Sequence, residues 1–210
     1  MNTRKLFLFL SCLFGLTAVQ AIANGVIRFD NIGVPADQRI YRGDWVLQNG
    51  QPEFVSWQPC SGPTFRAALY WGSAGATTDS GLVQVGGSAS FLTGSLAGCF
   101  AGGSRTLTTD GVGPVLSFQV RVWEMGASGA NTWEQAMATH GVAGKSPILQ
   151  IDTKDPDNPL ELPPVIARSP DWRGLIFGPD GVTAIIVPEP STIALAILGA
   201  SSILLFRRRR

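Results

Sequence analysis

Leu116, Phe118, Val120 and Val122 alternate with Ser117, Gln119, Arg121 and Trp123, the clearest period-two stretch in the chain. Successive side chains of a strand point to opposite faces, so this stretch predicts a strand with one apolar face. Phe65, Ala67, Leu69 and Trp71 repeat the pattern against Arg66, Ala68 and Tyr70. Shorter apolar runs predict strands at 26–29, 45–47, 82–85, 104–108, 148–151 and 182–187. Gln48-Asn49-Gly50-Gln51, Asp79-Ser80-Gly81, Asp110-Gly111 and Asp180-Gly181 supply turns between them, since Gly and Asn tolerate backbone angles that other residues resist. Many short strands between frequent turns predict a mainly β, β-sandwich-like domain. One stretch has the helical period. Asn131 is an N-cap candidate with Glu134 three residues on, and Trp133, Ala136, Met137 and His140 share a face before Gly141, so one short helix packs over a sheet edge.

The two ends follow different rules. Arg4 and Lys5 precede an apolar run over 6–19, and Ala21-Ile22-Ala23 offers a small-residue cleavage site. This pattern predicts a signal peptide over 1–23, carried by the Sec translocon and cut by signal peptidase between Ala23 and Asn24. Cys12, in Phe9-Leu10-Ser11-Cys12, is a poor lipobox. At the other end, Val187-Pro188-Glu189-Pro190 is an extended handle, because each proline lacks an N–H and disfavours helix at the preceding residue. Ser191 or Thr192 can cap the uncharged run 193–206, and Arg207, Arg208, Arg209 and Arg210 follow. A transmembrane helix over 192–206 is expected. Its fourteen apolar residues span about 21 Å against a hydrocarbon layer of about 30 Å, so snorkelling arginines or local thinning must cover the deficit. The positive-inside rule sets the four arginines in the cytoplasm.

Handle, short apolar helix and Arg cluster, in that order at the C-terminus, resemble the PEP-CTERM sorting signal of Gram-negative bacteria. The resemblance covers residues 187–210 of the 210-residue chain. It implies an exosortase substrate, processed near Val187–Pro190 by a membrane-embedded cysteine-dependent enzyme. It implies an inner-membrane-anchored intermediate, then delivery to the cell surface or to an extracellular matrix of the kind found in exopolysaccharide-producing biofilms. The same C-terminal pattern also carries an ice-binding label, which describes the signal and not an activity. An ice-binding face needs a regular Thr or Ser array, and Thr77-Thr78 and Thr106-Leu107-Thr108-Thr109 form no sustained repeat. Phe118 to Gly144 further resembles the ectodomain of uncharacterised proteins with this tail, implying a recurrent all-β module and no particular activity.

Between the signals, residues 24–186 form a single β-rich ectodomain of a size that buries a real core. Six of the chain's 16 Lys and Arg lie in the terminal segments, leaving ten basic against fourteen acidic residues, a net of about −4. An acidic domain argues against nucleic acid as a partner, because phosphates require a basic stripe. Cys60 and Cys99 are the only cysteines left after signal cleavage. In an oxidising compartment an even pair predicts a disulfide, the alternative being two buried free thiols; with one distant histidine they make a poor metal set.

Catalytic constellations are missing from the sequence. There is no Gly-x-Ser-x-Gly elbow, no His-Glu-x-x-His, and no Lys-Ser after Gly86-Gly87 or Gly102-Gly103. The chain is therefore read as a non-catalytic structural or binding module with no catalytic residues, no metal and no cofactor. His140, the single histidine, is expected to pack or cap its helix. Glu124 and Glu134 are the carboxylate pair to examine for a polysaccharide-active alternative. Residues 152–158, Asp152 through Asn158, concentrate oxygen ligands as a calcium loop does, without its central glycine or terminal glutamate. Six tryptophans, at 45, 57, 71, 123, 133 and 172, are expected mainly in packing, although an exposed pair would suit stacking on sugar rings, in line with exopolysaccharide as a partner. Residues 160–173 read as a linker or edge segment crossing back over the domain.

Overall fold

A computed structural model describes residues 23–48, 51–109, 115–126, 129–155, 158 and 160–184. The expected signal peptide, apart from Ala23, and the whole 187–210 tail lie outside these residues. The described chain is mainly β. Strands β1 (Ala23–Asp30), β2 (Ile40–Gln48), β3 (Gln51–Pro59), β4 (Phe65–Gly72), β5 (Val83–Ser90), β6 (Ala101–Thr109) and β7 (Val115–Glu124) precede one helix, α1 (Trp133–Ala138). Strands β8 (Val142–Lys145), β9 (Leu149–Asp152), β10 (Leu175–Pro179) and β11 (Thr183–Ala184) follow. The larger sheet runs β3-β2-β10-β8-β7-β4-β5, with β9 also on β7 and β11 on β10; β1 and β6 pair antiparallel as a second sheet. Pairing in the larger sheet is antiparallel except for β10 against β2.

The core follows from the alternation. Leu116, Phe118, Val120 and Val122 of β7 and Ala67 and Leu69 of β4 share one cluster with Ile27 and Phe29 of β1 and Leu107 of β6. Burying such side chains contributes roughly 1.5–3 kcal/mol each. Phe29 lies over Gly102, where a Cβ would stand 2.2 Å from its ring, so the close approach of β1 and β6 needs a glycine there. Asn31, fully buried, ties the end of β1 to the neighbouring loop: its amide donates to Gly98 (3.0 Å) and its oxygen accepts from the Phe100 N–H (2.6 Å). Residues 160–173 are more than a linker, because Ile166, Ala167 and Trp172 enter the core and Arg28 bridges to Val165 in parallel.

The polar face of β7 departs from the half-exposed strand that its alternation predicts. Ser117, Gln119, Arg121 and Trp123 are buried as well, because α1 and the 73–82 loop cover that face. The helix N-cap is Thr132 and not Asn131: its side chain accepts from the Gln135 N–H (3.2 Å), while the Gln135 side chain accepts from Asn131 (2.8 Å). That one-residue shift leaves Glu134 free to face the sheet. At the other end, Gly141 returns its N–H to Ala136 (2.8 Å) and His140 to Met137 (3.2 Å), a Schellman arrangement with His140 at φ +53° in the left-handed position.

Candidate functional site

β2 and β3 form a two-stranded ribbon at the open edge of the larger sheet. Its register pairs Tyr41 with Pro59, Gly43 with Trp57 and Trp45 with Phe54, with a shift between Asp44 and Trp45. Strand alternation and that shift, which leaves Val55 unopposed, bring Tyr41, Trp57, Phe54 and Trp45 to one face. Their rings touch in sequence, with centroids 6.0 Å apart for Tyr41 and Trp57, 5.6 Å for Phe54 and Trp57, and 5.2 Å for Trp45 and Phe54. Trp57 is the most open member, 51% exposed, and Phe54 is exposed as well.

Trp45 is held at the back of this row. A Cβ on Gly178 of β10 would stand 2.2 Å from its Nε1, and one on Gly43 would stand 2.7 Å away, so the indole lies over bare backbone. Its Nε1 is buried with no hydrogen-bond partner. Tyr41 donates its hydroxyl to the Ala36 carbonyl (2.8 Å), and burial raises its phenol above the ordinary value, with Arg39 opposing. Arg39 itself donates to the carbonyls of Ser95 (2.9 Å) and Ala97 (3.1 Å).

Charge sits on the reverse side of the ribbon. Arg42 lies 2.7 Å from Asp44 and 3.2 Å from Glu124, and Ser56 donates to Asp44 (2.9 Å). The even-numbered positions of β2 carry these ions and the odd-numbered positions carry the rings.

No known protein family, curated protein or solved structure matches the chain.

Glu124 and Glu134 do not share a cleft. Glu124 has the parity of Val122 and Val120 and pairs with Arg42, whereas Glu134 lies across the sheet beside Tyr70 and Arg121. There Arg121, with its side chain 7% exposed, lies between the rings of Tyr70 (3.9 Å) and Trp133 (4.7 Å). It donates to Gln119 (3.0 Å), Glu134 (3.2 Å) and the Asp79 carbonyl (3.3 Å). Burial, then the bond to Glu134, raises the Tyr70 phenol well above its ordinary value. Each polar group of this cluster answers another, so it fastens α1 to the sheet.

The remaining expected sites fall as follows. Cys60 and Cys99 are free and buried, so the expected disulfide is absent from the structure. Gly98, the neighbour of Cys99, donates its N–H to the Cys60 carbonyl (2.7 Å). Burial raises both; Cys60 also feels Glu124 and Arg42, and Cys99 feels Arg39. Ala23 and Asn24 open β1 opposite Thr109 and Thr108. Val187, Pro188, Glu189, Pro190, Arg207, Arg208, Arg209 and Arg210 lie outside the described residues. Among the described residues no group of three His, Cys, Asp or Glu could hold a metal, and no helix is long and apolar enough to cross a membrane. In the segment 152–158, Lys154 exchanges backbone bonds with Val26 (2.9 and 3.0 Å), as an edge strand does. His140 is 85% exposed and meets Asp180 (2.7 Å) instead of packing against Trp133.

Tyr41 and Phe54 were missed as site residues. The signal for them is the Asn49-Gly50 dipeptide in the sequence, because Gln48 opposite Gln51, counted back, brings Trp45 to Phe54.

Proposed function

We propose that the chain is an exported envelope or extracellular-matrix protein whose single β-sandwich-like domain is a non-catalytic binding module, with polysaccharide as its ligand. Export and sorting rest on the two terminal patterns: a signal peptide cut between Ala23 and Asn24, and a PEP-CTERM-like tail handled by an exosortase. The binding reading rests on one observation, the half-exposed Trp57 in a row of touching rings on the β2–β3 ribbon. Aromatic faces present large, rigid apolar area to the C–H faces of sugar rings at little entropic cost. The separation of Glu124 and Glu134 by the sheet supports binding over hydrolysis, because glycosidases need two carboxylates about 5–9.5 Å apart flanking one bond.

Two readouts test this. Mass spectrometry of the protein from its own cells should find Asn24 at the N-terminus and a C-terminus near Val187–Pro190; an intact Met1 and Arg210 would refute export and sorting. A glycan array probed with the detergent-solubilised chain should give polysaccharide hits, and a folded chain without any hit would refute the binding reading.

A further inference from the structure

From the distribution of charge on the ribbon we infer that its aromatic face selects an uncharged, extended polysaccharide and discriminates against acidic ones; this rests on the polysaccharide reading above. The face consists of Tyr41, Trp45, Phe54, Trp57 and Pro59 over Gly43, with no ionisable carboxyl, ammonium or guanidinium among them. Arg39 and Asp37 both act on the Tyr41 phenol, and Arg39 is held by two carbonyls. Arg42, the other cation of the ribbon, points to the reverse face and is matched there by Asp44 and Glu124. Recognition of a carboxylate or sulfate requires a free Arg, Lys or N–H fork, and none among the described residues faces the rings. An acidic chain would also approach a domain of net charge about −4.

The ring row also fits a chain better than a single sugar. Four rings in sequence, each 5.2–6.0 Å from the next, bend round Gly43, with Tyr41 and Trp45 on β2 and Trp57 and Phe54 on β3, and cover about 13 Å of ribbon, more than one sugar ring. Gly43 and Gly178 keep the back of the track low by letting Trp45 lie down on the sheet. A lipid surface is the competing occupant, but among the described residues no free basic side chain lies beside the rings to gain from headgroup phosphates, Arg42 being paired on the reverse face.

Affinity electrophoresis of the full chain in mild detergent separates these outcomes. Native gels are cast with hydroxyethyl cellulose as the neutral probe or alginate as the acidic probe, at 50 and 500 mM NaCl, and run beside Trp57→Ala. Flotation with phosphatidylcholine vesicles is measured in parallel. The expected result is retardation by the neutral polymer that changes less than twofold with salt, is lost in Trp57→Ala, and has no counterpart in alginate or vesicles. Retardation by alginate that collapses at high salt overturns the neutral-ligand inference and leaves the polysaccharide reading standing. Flotation with vesicles that depends on Trp57 overturns both in favour of a lipid surface. No retardation of the folded chain in either gel overturns the polysaccharide reading and the inference with it.

Discussion

Replacing Gly178 by alanine tests how the aromatic row is built. The new methyl would stand 2.2 Å from Nε1 and 2.3 Å from Cδ1 of Trp45, far inside van der Waals contact. The backbone at Gly178 has little freedom to yield, because its N–H is bonded to the Val182 carbonyl (2.8 Å) and it pairs with Ala143. The indole must therefore rise, breaking its edge contact with Phe54. Overpacking of this kind costs about 1–3 kcal/mol. For a domain of this size, 1 kcal/mol corresponds to roughly 2–4 °C in Tm, so a loss of about 4–8 °C is expected for a cost on the order of 2 kcal/mol. The decisive comparison is the double variant. Trp45→Ala removes the ring that the methyl meets, so Gly178→Ala added to it should cost less than about 0.5 kcal/mol. Urea unfolding of the four chains, with m compared among them, measures both terms. Equal costs of Gly178→Ala with and without Trp45 would refute the claim that these glycines exist to seat the indole.

Three further outcomes follow from other contacts. His140→Gly should raise Tm by about 1–3 °C, because relief of the left-handed backbone at φ +53° outweighs loss of its exposed contact to Asp180; a fall in Tm contradicts this. Asp79 accepts from Lys145, and that bond holds its carboxyl below the ordinary value of 3.8. A depressed folded value gives stability that is present above pH 3.8 and lost as pH falls through the folded value, so Asp79→Asn should lower the urea midpoint at pH 7 by an amount that shrinks as the solution is acidified below pH 3.8. Equal midpoints at pH 7 would show that the contact contributes nothing. In a Cys12→Ser chain, Ellman's reagent should find no reactive thiol in the native state and two after unfolding without reductant; none after unfolding would mean that Cys60 and Cys99 are bridged.

Strands with clean alternation were legible in the sequence: β4 and β7 occupy the predicted positions with the predicted apolar face inward. β3 was not, because the register shift opposite Asp44 and Trp45 breaks its period and puts Phe54 and Trp57 on the same face at a spacing of three. β10 and β8 were missed for a different reason: Leu175-Ile176-Phe177 is a short continuous apolar run and Val142-Ala143-Gly144-Lys145 is too short to show a period. The strand expected at 182–187 is described only as β11. The polar side of β7 reads as solvent-facing until the chain returns α1 over it, and only then do Arg121 and Tyr70 find Glu134. For the site, the tryptophans were visible as residues but not as a row. Their meeting depends on a hairpin register, while the separation of Glu124 from Glu134 depends on which face of the sheet each element covers.

If the row around Trp57 is the binding surface, its truncation must weaken binding of the ligand without unfolding the chain. Isothermal titration of the full chain and of Trp57→Ala with the same neutral polysaccharide tests it most directly. Half-exposed and outside both core clusters, Trp57 can be truncated with Tm held within about 2 °C. Trp57→Ala should bind at least about tenfold more weakly, a loss of about 1.4 kcal/mol. Equal affinity for the two folded chains would contradict it.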